Sequence, residues 1–226
     1  MRNLTLALVM LICVCANARA DEVRIGNSSL SYAVPTGFVR ADGLFPMDLT
    51  DLDREFGMDT VVFATFIPEA DHEARRQDPR FVPSWYVHLA YDAIFSKLSI
   101  GDTMFSTATG LVRRVIGKQY ADAGFIAKLE SLISGALNRK LTIESMTQKG
   151  FVDEKPRCRS VLAHGRGKLE NDAGAMADVS LATLTTFFLD NGKFVAIIQA
   201  SRIRSEEDLP AFTEKALKIV AEITGR

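Results

Sequence analysis

Three histidines, one cysteine outside the apolar leader and two acidic clusters are the residues whose types and spacing can do chemistry here. His72 stands in Glu69-Ala70-Asp71-His72-Glu73, a run of metal-ligating types. Its acids are nearest neighbours, which point in different directions on a helix or a strand, and no second histidine follows at i+4. A charged surface segment explains the run more simply. His88 falls on the face opposite Trp85, Val87 and Leu89, where a packed or exposed strand histidine is expected. Cys158 and His164 are the one pair that suggests a nucleophile and a base. Six residues apart on a strand they share a face but stand about 20 Å from each other. They meet only if Arg159–Ala163 turns, and that stretch reads as strand.

His164-Gly165-Arg166-Gly167-Lys168 lacks the full phosphate-loop spacing, with Leu169 where the hydroxyl is required, and reads as a flexible basic turn or strand end. The acidic group Asp48, Asp51, Asp53 and Glu55 lacks the glycine and spacing of a calcium loop, and reads as the polar side of a short helix, Asp48–Phe56. Neither a Gly-x-Ser-x-Gly elbow nor a dinucleotide fingerprint occurs. No catalytic, cofactor-binding or metal-ligating residue is therefore assigned, and no cofactor is called for.

The elements that must position these residues alternate in type along the chain. Leu30, Tyr32 and Val34 recur with period two, and Pro35-Thr36-Gly37 turns that strand into a short one at Phe38 and Val39. Thr60–Ile67 and Pro83–Phe95 read as strands, with a polar loop or short helix from Glu69 to Pro79 between them. Met104, Phe105, Ala108, Leu111, Val112, Val115 and Ile116 form a helical stripe behind Asp102. Phe125, Ile126, Leu129, Leu132, Ile133, Ala136 and Leu137 form a second one behind Asp122. Strand candidates follow at Leu141–Val152, Cys158–Lys168 and Met176–Leu189. Asp190-Asn191-Gly192 marks a tight hairpin into Phe194–Ser201, whose two apolar faces predict a central strand covered on both sides. A closing helix capped by Ser205 buries Leu209, Phe212, Ala216, Ile219, Val220 and Ile223. The order predicts an α+β fold, a mostly antiparallel sheet covered by helices.

At its N-terminus the chain carries Arg2, an apolar run from Leu4 to Cys15 and the small-x-small triplet Ala18-Arg19-Ala20, the pattern of a cleaved signal peptide. Residues 1–20 are expected to be removed and 21–226 to form one α+β domain. The leader holds two arginines and no acid, so the remainder has 25 basic against 28 acidic residues, a net charge of −3. That balance gives no footprint for nucleic acid and no polybasic membrane anchor, and no later stretch is long and apolar enough to span a membrane. Cys13 and Cys15 lie in the leader, which leaves Cys158 without an internal disulfide partner.

Three stretches resemble the PsbP-like α/β/α sandwich group, whose exported bacterial members include proteins of the DcrB type. They are Tyr32-Ala33-Val34-Pro35-Thr36-Gly37-Phe38, the hairpin from Thr185 to Val195, and the helix from Ser205. The resemblance implies a binding or accessory role with no shared catalytic motif. The expected function is thus an exported, periplasmic or secreted, non-enzymatic binding or accessory protein. Its partner would be another exported or envelope protein. The alternative is a periplasmic hydrolase or metal-dependent enzyme assembled in three dimensions around His72, His88 or His164. Cleavage after Ala20 predicts Asp21 as the first residue of the exported protein; N-terminal sequencing of that form decides it, and retention of residues 1–20 overturns it.

Overall fold

A computed structural model of the chain describes residues 20–45 and 59–225. The leader through Arg19, including Ala18, and the expected helix Asp48–Phe56 with its four acids lie outside the described residues. The described chain runs β1 (Ala20–Ile25), β2 (Ser28–Ala33), β3 (Phe38–Arg40), β4 (Thr60–Pro68), α1 (Glu69–Gln77), β5 (Trp85–Asp92), α2 (Asp102–Gln119) and α3 (Ala123–Leu137). It continues through β6 (Leu141–Lys155), β7 (Cys158–Glu170), β8 (Met176–Asp190), β9 (Lys193–Ile203) and α4 (Leu209–Thr224). Seven strands form one sheet in the order β3-β4-β5-β9-β8-β7-β6, every neighbouring pair antiparallel, while β1 and β2 make a separate hairpin. This is the α+β sandwich that the element order predicts.

Burial explains why β9 lies in the middle. Val195, Ile197 and Gln199 are fully buried on one face and pack with α4 and the β1–β2 hairpin, which contributes Ile25, Leu30 and Tyr32. Phe194 and Ala196 point to the other face, against Phe105 and Val112 of α2. α3 covers the neighbouring end of that second face, with Ile126, Leu129 and Ile133 against Leu141 and Ile143 of β6. A strand apolar on both sides has nowhere else to go.

Local signals act as the sequence indicates at several points. Asp122 accepts the Phe125 N–H at 2.8 Å and caps α3, and Asn138 ends that helix in the left-handed region. Asn191 and Gly192 both have positive φ, 48° and 74°, as the two-residue β8–β9 turn requires.

Other readings need correction. β1 begins at Ala20, the expected cleavage site, and carries too little periodicity to be read as a strand. His164-Gly165-Arg166-Gly167-Lys168 lies in the C-terminal part of β7, the strand end of the two alternatives, and not in a flexible turn. A Cβ at Gly167 would sit 2.0 Å from the Thr142 carbonyl oxygen, because β6 bulges between Ile143 and Ser145 and its backbone closes on β7 there. Ser205 makes no side-chain cap on α4. It precedes a 3₁₀ turn, Glu206–Asp208, and the helix starts at Leu209 with Pro210 in its first turn, where a missing N–H is harmless.

The Lys215 ammonium lies 4.5 Å from the centre of the Trp85 ring. Trp85 in turn stacks on Phe212 at 4.8 Å. Phe212→Ala should cost ~3–5 kcal/mol, a fall in melting temperature on the order of 10 °C for a chain of this size. Lys215→Ala should cost only about 0.5–1 kcal/mol. Thermal melts of the two variants check this ranking, and equal losses would mean that α4 does not pack on the sheet.

Candidate functional site

Strands β7, β8 and β9 continue past the N-terminal end of α4, and the uncovered sheet surface there forms an open groove of about 1540 Å³. His164 and Arg166 of β7, Asp178 and Ser180 of β8, and Ser201 and Ile203 of β9 line its floor. Trp85, Phe212 and Lys215 close one end, and Glu206 and Asp208 of the 3₁₀ turn flank it.

His164 is the sequence candidate that the fold places in this groove. Its Nε2 is 2.7 Å from the Ser180 Oγ, a diagonal cross-strand contact set by the pairing of Arg166 with Ser180 and of His164 with Ala182. Its Nδ1 is 3.8 Å from a Glu206 carboxylate oxygen. Burial pushes the imidazole below its usual range, Glu206 pulls it partly back, and Lys149 and Arg166 oppose that pull. The order serine, histidine, acid is that of a hydrolase triad. The geometry fits a brace better. The Glu206 carboxylate is outside hydrogen-bond reach of the imidazole and holds the Lys149 ammonium instead, which keeps that acid below the usual range. Ser180 sits in straight strand, paired with Arg166 on one side and Ile203 on the other, without the sharp turn that exposes a nucleophile.

The groove's charges divide into spent and unspent. Glu144 pairs with Lys168, Glu170 with Arg80, Asp172 with Arg139, Glu206 with Lys149 and Asp208 with Arg204. Arg166 and Lys215 have no carboxylate partner among the described residues, and Arg202 at the rim makes one long bond, 3.4 Å, to the Val82 carbonyl. Asp178 is the acid of the groove left without a cation.

The remaining sequence candidates are dispersed. His72 lies half-buried on α1, and its neighbouring acids are engaged elsewhere: Asp71 accepts the Ser84 N–H and hydroxyl, both at 2.7 Å, and Glu73 accepts the Gln77 amide at 2.8 Å. His88 lies on the opposite sheet face from His164, with its Nδ1 3.0 Å from the Thr65 hydroxyl. Cys158 and His164 share β7 without a turn between them, so the pair stays about 20 Å apart. Among the described residues no group of three or more His, Cys, Asp or Glu side chains is gathered to hold a metal. Ser180 and Glu206 were not singled out from the sequence as groove residues, since cross-strand register brings the first beside His164 and the turn before α4 brings the second.

Burial pushes His88 from 6.5 down to about 4, against a small opposing pull from Asp42. The folded state thus favours the neutral ring, and the unfolded chain takes up the proton first as pH falls. Stability is therefore complete above pH ~6.5 and is lost between there and about 4. Urea midpoints measured from pH 7 to pH 5 should fall, and His88→Gln should flatten most of that slope. An unchanged slope would mean that the ring is already protonated in the fold.

A scan of family models finds no match to this chain, and searches of the curated proteins and of the solved structures find none either.

Proposed function

We propose that this chain is an exported, non-catalytic binding protein, periplasmic or secreted, that takes an anionic ligand in the groove beyond the end of α4. The observation that carries this reading is the groove's unspent charge. Five of its carboxylates already hold cations, while Arg166 and Lys215 have no acid partner among the described residues, and Arg202 lies at the rim. Charge-assisted hydrogen bonds to carboxylate or phosphate oxygens are the strongest contacts such groups make. The stacked Trp85–Phe212 pair supplies a rigid apolar end wall beside them. The signal-peptide pattern and the resemblance of the chain's ends to the PsbP-like group support the same class of role.

Citrate and inorganic phosphate are suitable probes. Both should raise the melting temperature, by more at higher ligand concentration. Arg166→Ala should weaken citrate by about tenfold or more, since a lost bond to a charged group is worth ~1.5–3 kcal/mol. Equal stabilisation by a cationic probe, or an unchanged citrate affinity in Arg166→Ala, overturns the reading.

A second reading rests on the Ser180–His164–Glu206 array, which keeps a serine hydrolase in view. In that case Ser180 Oγ would attack an acyl carbonyl while His164 Nε2 takes its proton, and the leaving group would depart with that proton. Covalent labelling of Ser180 by a fluorophosphonate, abolished in His164→Asn, would establish it. The binding reading expects Ser180 to remain unlabelled.

A further inference from the structure

We propose that the outward face of α2, with the turn that leads into it, docks on an anionic lipid surface. This inference is independent of the groove. Eight large hydrophobic side chains are exposed among the described residues, and five of them, Ile94, Phe95, Leu98, Met104 and Leu111, fall within one 18-residue stretch. Each is between 45% and 56% exposed, far more than a buried stripe leaves open. Met104 and Leu111 are one heptad apart on α2, the spacing that places them on one outward face, while Phe105 on the inward side is fully buried. Clustered exposure of this kind marks a contact surface.

The charge around this patch selects its occupant. From Ala93 to Gln119 the chain carries Lys97, Arg113, Arg114 and Lys118 against the single acid Asp102, a local net charge of +3. The whole chain is −1, so the rest carries −4. Asp102 is itself neutralised by Arg157 at 2.7 Å. Arg113 lies over the Phe151 ring, and Lys97, Arg113, Arg114 and Lys118 are all exposed. Leu111, Arg114 and Lys118 continue the heptad line from Met104. Apolar side chains beside basic ones on a helix face match the boundary between acyl chains and anionic headgroups.

The site is also rigidly held. The Ile100 N–H donates to the Gly192 carbonyl at 2.9 Å, and the buried Lys193 ammonium donates to the Ser96 and Leu98 carbonyls at 2.8 and 3.0 Å. These bonds fasten the exposed turn to the β8–β9 hairpin, the end of β9 opposite the groove.

Vesicle co-sedimentation tests the proposal, using the exported protein and variants that share its N-terminus, so that whatever residues 1–20 contribute cancels. Binding is expected to vesicles of roughly three parts phosphatidylcholine to one part phosphatidylglycerol, to weaken with salt, and to be slight on phosphatidylcholine alone. Arg114→Gln with Lys118→Gln should weaken binding by at least about tenfold, as each cation near the surface is worth roughly fivefold. Met104→Asp with Leu111→Asp should abolish binding with no change in melting temperature, because neither side chain is in the core. Arg166→Ala should bind vesicles like the parent. Equal binding to both vesicle types, parent-like binding by both double variants, or loss of binding in Arg166→Ala overturns the proposal. So does a concentration-dependent dimer, broken by Met104→Asp with Leu111→Asp, that forms without any vesicle binding.

Discussion

Gln199 holds the centre of this fold. Its side chain is fully buried on the most apolar strand of the sheet, between β5 and α4. Its amide oxygen accepts the Trp85 indole N–H at 3.2 Å, and its amide nitrogen donates to the Ala216 carbonyl at 2.9 Å. A buried amide left unpaired costs ~1–3 kcal/mol for each missing partner. These bonds therefore fix one depth and one rotation of α4 over β9 and β5. Hydrophobic burial alone would accept several registers of that helix, whereas the amide accepts one. Trp85, held in this way, then stacks on Phe212 and receives Lys215 above its ring. The groove's end wall is thus a consequence of how the core is pinned.

Buried cations do similar work at the seams between helices and sheet. Arg75 is 4% exposed and has no acid partner among the described residues. It donates instead to carbonyls of Leu44, Pro79, Phe81 and Ala136, with its guanidinium 4.3 Å from the centre of the Phe45 ring. Ala136 belongs to the last turn of α3, whose carbonyls have no partner within the helix, so Arg75 satisfies a helix end while joining α1 to α3. Arg139 repeats the device with the carbonyls of Arg80 and Glu170 and the carboxylate of Asp172. It thereby ties the end of α3 to the β7–β8 turn that borders the groove. Lys193 serves the opposite end of the sheet in the same manner. Carbonyl oxygens gather at these seams because loops and helix ends leave them unpaired, and long cationic side chains reach them while burying their stems.

The proposed functional surfaces follow from what these constraints leave uncovered. α4 is shorter than the strands beneath it reach, which opens the groove on one face. On the other face α2 seals Phe105 against Phe194 and Phe187, and keeps Met104 and Leu111 outside. None of the described residues from Ala93 to Gln119 lines the groove, so occupation of one surface leaves the other accessible. His164, Ser180 and Glu206 lie between β7, β8 and the turn before α4, and brace the groove's floor to its flank.

Periodicity determined the element types, because the side-chain repeats of helix and strand are fixed by backbone geometry. The helical stripes behind Asp102 and Asp122, the Asn191-Gly192 turn and the doubly apolar β9 were all legible in this way. The Asp122 cap and the positive φ values at the turn are local chemistry, and local chemistry is written in neighbouring residues. β1 was not legible, since six residues with mixed polarity show no clear alternation. At Gly165–Lys168 the sequence left turn and strand end both open, because its glycines answer to the bulged backbone of β6, some twenty residues earlier. Of the candidate site, the sequence offered His164 alone. Ser180 and Glu206 reach it through cross-strand register and through the placement of α4, which no local pattern encodes. Arg113, Arg114 and Lys118 are legible as the polar side of α2, but that Met104 and Leu111 of its apolar stripe stay exposed is not. Tertiary structure decided which cations kept an acid partner and which apolar side chains stayed outside, because pairing and burial depend on neighbours that are distant in the chain.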